Sequence, residues 1–278
     1  MTIAPLSAMR LAVLAAIAAA GAGFARGEEP AKPAPSPATC LLQPKDMVLF
    51  FGNSIADCAQ PAMKCLEDDL KKQYPALAQG EGAVKLARAG SGGETAEGGA
   101  KRLSKVIETC KPTVCIIIYG TNEAGWGIEK TRFDPPMRAI IRQLREAKAV
   151  PVVIGPPPVS PKLLAKGWER FAKARMAETG EMARKIAAEE GALYLDVFAA
   201  FKAADPKGEK EFTRDGVHLT DEGYRVVIDA LEKLWGFGQP LAEAGAQRAL
   251  PPPAPDKERE GAGRDPAAPA KVDSPTTK

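Results

Sequence analysis

The chain has 278 residues, 45% of them hydrophobic and 26% charged, a balance that supports one globular core of ordinary size and excludes disorder throughout. Its 38 basic and 35 acidic residues leave a net charge of +3. They are interleaved with no polybasic block, so nucleic acid is not an expected partner.

The first 25 residues have the layout of a secretory signal peptide. Arg10 closes a short polar start, residues 11–20 are unbroken apolar, and Gly23-Phe24-Ala25 offers a small-residue cleavage site. About 15 apolar residues fall short of the ~20 that a spanning helix needs. Export is therefore expected, to a periplasm or outside the cell, with no integral membrane span once the signal is cleaved. Residues 26–44 carry prolines at 30, 33, 35, 37 and 44 and are expected to form an extended linker. Residues 238–278 return to Pro, Ala, Gly and charge, the composition of a disordered tail. The globular unit is expected over residues 45–237.

Within it, short apolar runs at 47–51, 84–87, 114–119, 150–154 and 192–197 are too brief for helices and rich in β-branched or aromatic residues, which predicts five strands. Helices are predicted at 62–74, 96–109, 135–147, 166–190 and 220–235, the charged run from residue 162 to 190 giving a solvated helix face. Strand and helix alternate, and runs that are apolar at nearly every position belong to strands covered on both faces. The expected fold is a doubly wound α/β domain with a parallel sheet. Five cysteines in an exported protein permit two disulfides. Cys58 with Cys65, and Cys40 with Cys110 or Cys115, are the candidate pairs. The lone His218 has no cysteine beside it, so neither a zinc site nor any other metal is expected.

In such a sheet ligands bind beyond the carboxyl ends of the strands. There the chain places Gly52-Asn53-Ser54, Gly90-Ser91-Gly92-Gly93, Gly120-Thr121-Asn122-Glu123 and, further on, Asp215-Gly216-Val217-His218. A serine hydroxyl needs a base to take its proton, and His218 is the one histidine in the chain. Asp215, three residues earlier, is placed to fold back and hold the ring in one tautomer. Negative charge developing on an ester oxygen needs fixed donors, for which the Asn122 amide and the N–H groups of Gly90 and Ser54 are the right types. Each residue alone has a plainer role: Ser54 as a cap, Asn122 as a turn residue, His218 at a helix entry, Asp215 as its cap. Together, in order along one predicted rim, they point to catalysis.

These blocks resemble those of the SGNH, or GDSL-type, hydrolase family: Phe51-Gly52-Asn53-Ser54-Ile55, then Gly90 with Gly93, then Gly120-Thr121-Asn122-Glu123, then Asp215-Gly216-Val217-His218-Leu219-Thr220. The resemblance covers about residues 47–235. It implies a flavodoxin-like three-layer αβα sandwich, a triad of Ser54, His218 and Asp215, an oxyanion hole from Ser54, Gly90 and Asn122, and ester hydrolysis without a cofactor. Asn53 stands where the family usually has aspartate, and Arg88 where many relatives have asparagine. Ser54 lacks the second glycine of a G-x-S-x-G elbow, since Ala56 occupies its place, which disfavours the α/β-hydrolase fold. The expected substrate is a small-molecule or glycan ester, with acetylated carbohydrate preferred because the Trp126 ring is suited to stack on a sugar. Lysophospholipid or thioester hydrolysis is the alternative among enzymes, and a non-catalytic binding domain the alternative outside them.

Overall fold

The computed structural model describes residues 38–255 apart from 129, 243–245 and 249. The expected signal peptide and residues 256–278 lie outside the described residues. Five strands form one parallel sheet: β1 Met47–Gly52, β2 Lys85–Gly90, β3 Val114–Ile118, β4 Val150–Ile154 and β5 Leu193–Leu195, in the order β2-β1-β3-β4-β5. This is the flavodoxin order, whose direction of winding reverses between β1 and β3.

The helices are α1 Ser54–Asp57, α2 Gln60–Gln73, α3 Pro75–Ala78, α4 Ala96–Cys110, α5 Thr121–Trp126, α6 Lys130–Glu146, α7 Met176–Glu190, α8 Val197–Ala204 and α9 Asp221–Leu234. Alternate strand residues point to opposite faces, and both faces are dry. Val48, Phe50, Ile116 and Ile154 pack with Leu66 of α2 and Ile228 of α9. Leu49, Phe51, Cys115 and Ile117 pack with Leu103 of α4, Ile140 of α6 and Ile186 of α7. The three-layer sandwich follows from that division.

Several elements differ from the sequence-based expectation. The edge strand β2 runs on to Gly90 through the charged Arg88, because an edge is covered less completely than the central strands. Helix α6 begins at Lys130 and takes Pro135 and Pro136 inside it. The earlier start extends the buried stripe of Met137, Ile140, Ile141 and Leu144 back to the fully buried Phe133, which offsets the ~3 kcal/mol penalty of an interior proline. Strand β5 ends at Leu195 because Asp196 caps α8, accepting from Ala199 N at 2.9 Å. The helix expected over 166–190 is two elements: a 3₁₀ turn at Glu169–Lys173, and α7 from Met176. Phe171 is 2% exposed; its ring turns inward with Met176 and Val217.

The domain is also longer than expected. Cys40 pairs with Leu241 in an isolated bridge, and Leu42 is fully buried. Arg248 Nη2 donates to both Asp46 oxygens at 2.5 and 2.6 Å, and Ala254 N donates to Glu189 O at 2.9 Å. The described part of the expected disordered tail is thus packed on the domain. All five cysteines are free thiols. Cys40 belongs to the core on one face of the sheet and Cys115 to the core on the other, while Cys58 closes α1 and Cys65 lies inside α2. Among the described residues no helix is long and apolar enough to cross a membrane.

Candidate active site

Ser54 opens α1 directly beyond β1. Asn53 caps this helix, its Oδ1 accepting from Ile55 N at 3.0 Å, which is the service an aspartate would also perform. Ser54 stands at the first helical position, where an N–H has no intrahelical acceptor. Gly90, beside it on β2, must be glycine: a Cβ there would lie 2.0 Å from Asp57 N. Lys85 N donates to Asp46 O and Ser91 N to Gly52 O, so odd-numbered N–H groups of β2 face β1, and the N–H of Gly90 faces away from it.

His218 sits on a loop closed by the Thr213–Leu219 bridge. Asp215 Oδ1 accepts from Val217 N at 3.1 Å and from His218 N at 2.8 Å, while Oδ2 lies 2.7 Å from His218 Nδ1. The carboxylate fixes the proton on Nδ1, leaving Nε2 to accept from Ser54 Oγ at 2.8 Å. Partial burial opposes ionisation of Asp215, but the hydrogen bonds from the His218 ring and from the His218 and Val217 backbone outweigh it and hold the carboxyl below its usual range. Tyr224 of α9 donates to Ile55 O at 2.7 Å, tying the helix after His218 to the helix that begins with Ser54.

Asn122, buried in α5, uses one amide hydrogen to reach Glu94 O at 2.9 Å, which leaves the second for another acceptor. The Glu94 side chain, which no sequence motif marks, is a hub of the site. It accepts from Tyr119 OH at 2.6 Å and from Arg102 Nε and Nη2 at 2.7 and 2.6 Å. Arg102 Nη2 also donates to Ala89 O at 2.9 Å and to Gly52 O at 3.2 Å. One guanidinium therefore ties together the ends of β1 and β2 and the loop that positions Asn122. Glu123, the last residue of the third block, accepts from Ala96 N at 2.6 Å and Gly120 N at 3.0 Å, fixing α5 to α4. Burial pushes its carboxyl up. Arg88 Nη1 stands 3.9 Å from Asp57 Oδ1, its side chain partly exposed.

Residues 156–175 cover the opposite side as a cap, whose part from residue 166 onward lies where the sequence predicts helix. Ser160 N donates to Gly216 O at 2.9 Å. Gly216 has φ +89°, and a Cβ there would meet Ser160 O at 2.7 Å. The cap thereby presses on the loop carrying Asp215 and His218, and Trp168 stands edge-on to the His218 ring with centroids 5.2 Å apart. Among the described residues no group of three or more His, Cys, Asp or Glu is placed to hold a metal ion.

Fold and site together define the class: a flavodoxin-ordered α/β sandwich whose switch-point rim carries a hydrogen-bonded serine, histidine and aspartate. The chain belongs to the GDSL-like lipase/acylhydrolase family, which it matches over residues 50–226. Solved structures share the fold at low identity. An acetylxylan esterase from Geobacillus stearothermophilus, crystallised as a catalytic mutant, superposes with a TM-score of 0.58 at 18% identity, covering 71% of this chain and 97% of that one. A putative GDSL-like lipase from Parabacteroides merdae gives 0.59 at 18% identity, covering 72% and 99%. The acetyl xylan esterase AlAXEase gives 0.54 at 22%, covering 66% and 97%. No curated protein sequence matches the chain.

Proposed function

We propose that this protein is an exported serine ester hydrolase, with Ser54 as nucleophile, His218 as general base and acid, and Asp215 as the group that orients the imidazole. The observation that carries this reading is the continuous relay from Ser54 Oγ to His218 Nε2 at 2.8 Å and from His218 Nδ1 to Asp215 Oδ2 at 2.7 Å. As Oγ attacks the ester carbonyl, Nε2 takes its proton, and Asp215 stabilises the imidazolium that forms. The oxygen of the tetrahedral intermediate is met by the Ser54 N–H and the free amide hydrogen of Asn122; Gly90, the third donor expected from the sequence, has its N–H turned away from β1 and is left out of the set. Imidazolium then protonates the leaving alcohol, and water, deprotonated by the same ring, releases the acyl group from Ser54.

Acetylated carbohydrate is the proposed substrate class. Trp126, at the end of the helix that carries Asn122, is 46% exposed, a ring placed for a sugar face; two of the structural neighbours are described as acetyl xylan esterases. A second reading has its own observation. A small apolar cavity lined by Ile55, Ile118, Ile154, Leu219 and Tyr224 adjoins the residues that follow Ser54 and His218, and its apolar walls would favour the acyl chain of a lysophospholipid or thioester if it widened on binding.

Acetate release from a panel of acetylated glycans, compared with hydrolysis of p-nitrophenyl esters of increasing chain length, separates the two readings. Acetate release with Ser54→Ala lowering kcat on the order of 10⁴- to 10⁶-fold is the expected result. Preference for medium-chain esters supports the acyl-chain reading instead, and an undiminished rate in Ser54→Ala removes the nucleophile.

A further inference from the structure

The cap carries charge that the triad does not use. Residues 161–175 contain Lys162, Lys166, Arg170, Lys173 and Arg175 against the single acid Glu169. Five bases and one acid are a local excess of four, in a chain whose total is only +3. Arg175 is paired with Glu178 at 3.1 Å. Arg170 is different. Its Nη1 donates to Gly167 O at 2.9 Å, and its guanidinium lies 4.8 Å from the Phe171 ring centroid and 5.9 Å from those of Trp126 and Trp168. The neighbouring Glu169 turns its Oε1 to Gly167 N at 3.0 Å. Among the described residues Arg170 makes no ion pair.

This cationic surface adjoins the reacting groups. Trp168 touches the His218 ring from one side, and Trp126 ends the helix that starts with Thr121 and Asn122. The exposed large apolar side chains among the described residues are Trp126 at 46% and Leu163 at 37%, both on this rim. Aromatic faces beside unpaired cations suit a ligand that offers C–H faces and negative charge together. A sugar ring supplies the first, by stacking on tryptophan. A carboxylate supplies the second, since it matches the planar fork of a guanidinium with two parallel hydrogen bonds. A mouth of one sign of charge also raises the local concentration of an anionic polymer.

We propose that the cap is a leaving-group subsite for an acidic glycan, in which Trp126 and Trp168 take sugar faces and Arg170, aided by Lys162 and Lys166, takes the carboxylate of a uronic acid near the acetylated sugar. The proposal rests on the carbohydrate-esterase reading and specifies its substrate.

The test compares kcat/KM for an O-acetylated oligogalacturonate with that for an O-acetylated xylo-oligosaccharide lacking carboxylates, with p-nitrophenyl acetate and a lysophosphatidylglycerol dispersion as further arms. The acidic glycan is expected to lead about tenfold at low ionic strength and to lose most of that lead as salt shortens the Debye length from ~30 to ~10 Å. Arg170→Gln is expected to lower the acidic-to-neutral ratio about threefold, whereas Lys105→Gln, on the exposed face of α4, leaves the ratio unchanged. Equal turnover of the two glycans, or a ratio that ignores both salt and Arg170→Gln, overturns the acidic subsite while the esterase reading stands. Hydrolysis of p-nitrophenyl acetate with no release from either glycan overturns the subsite and the carbohydrate reading together. Faster turnover of lysophosphatidylglycerol than of either glycan assigns the cationic cap to a phosphate and overturns it as well.

Discussion

Asn122 is a sensitive probe at the residue scale, because its amide has two hydrogens and only one is taken by a structural partner. One hydrogen goes to Glu94 O at 2.9 Å; the other is proposed to meet the oxyanion. Asn122→Ala is expected to lower kcat about 10²- to 10³-fold with little change in KM, as for the loss of one such donor. Steady-state kinetics on p-nitrophenyl acetate measure this, and an unchanged kcat removes Asn122 from the oxyanion hole. The residues of the relay are legible in the sequence for a chemical reason. His218 is the one histidine, so any histidine-based activation must use it, and Asp215 lies close enough in the chain for a local turn to bring it back. Glu94 and Arg102 are not legible. Both are common charged types in a helix or its approach, and what distinguishes them is a contact between segments remote in sequence.

At the scale of elements, the long central helices and strands are legible within a few residues, because apolar periodicity is strong where both sheet faces are covered. The failures have local causes. Helices α1, α3 and α5 are too short to display a period, and the cap has charged residues from 162 onward that mimic a solvated helix while Phe171 packs inward. Arg102 provides the test at this scale. It holds the ends of β1 and β2 and the Glu94 loop at once, with its guanidinium also 4.5 Å from the Phe51 ring centroid. Lysine cannot make that set of bonds from a single point charge. Arg102→Lys is therefore expected to reduce kcat on the order of tenfold, and the double variant with Asn122→Ala to lose less than the product of the two single effects, since both act through the same donor. Fully multiplicative losses would mean that Arg102 acts on the rate independently of Asn122.

For the whole molecule, the sheet order brings the end of β1 and the end of β3 to one crevice, and the loop before α9 returns His218 to it from the far end of the domain. The packing of the described residues between 239 and 255 is not legible, because their composition resembles a tail and their contacts, such as Arg248 with Asp46, depend on a surface the rest of the chain must first build. A pH dependence of stability arises on α9, away from the relay. Burial, reinforced by Asp69 of α2, pushes the Glu232 carboxyl up to about 8, against the opposing pull of Arg225. Asp229 on the same helix pairs with Arg225, and Cys65 across from it is pushed upward by burial, so that thiol stays neutral through the window concerned. With its folded value above its unfolded one, Glu232 binds more protons in the native state. Its contribution is fully present below about pH 4.5, declines as pH rises and is lost above about 8. Thermal melts at pH 5 and pH 9 should show Glu232→Gln gaining about 3–6 °C relative to the parent at the higher pH; an equal difference at both values contradicts the assignment.

The central claim is that one hydroxyl near the front of the domain is made nucleophilic by an imidazole near its end. Treatment of the mature protein with an alkyl fluorophosphonate, followed by peptide mapping, tests this most directly. The expected result is a single adduct on Ser54, formed at least about a hundredfold more slowly in His218→Ala. An adduct on another serine, or Ser54 labelling that is indifferent to the loss of His218, would contradict it.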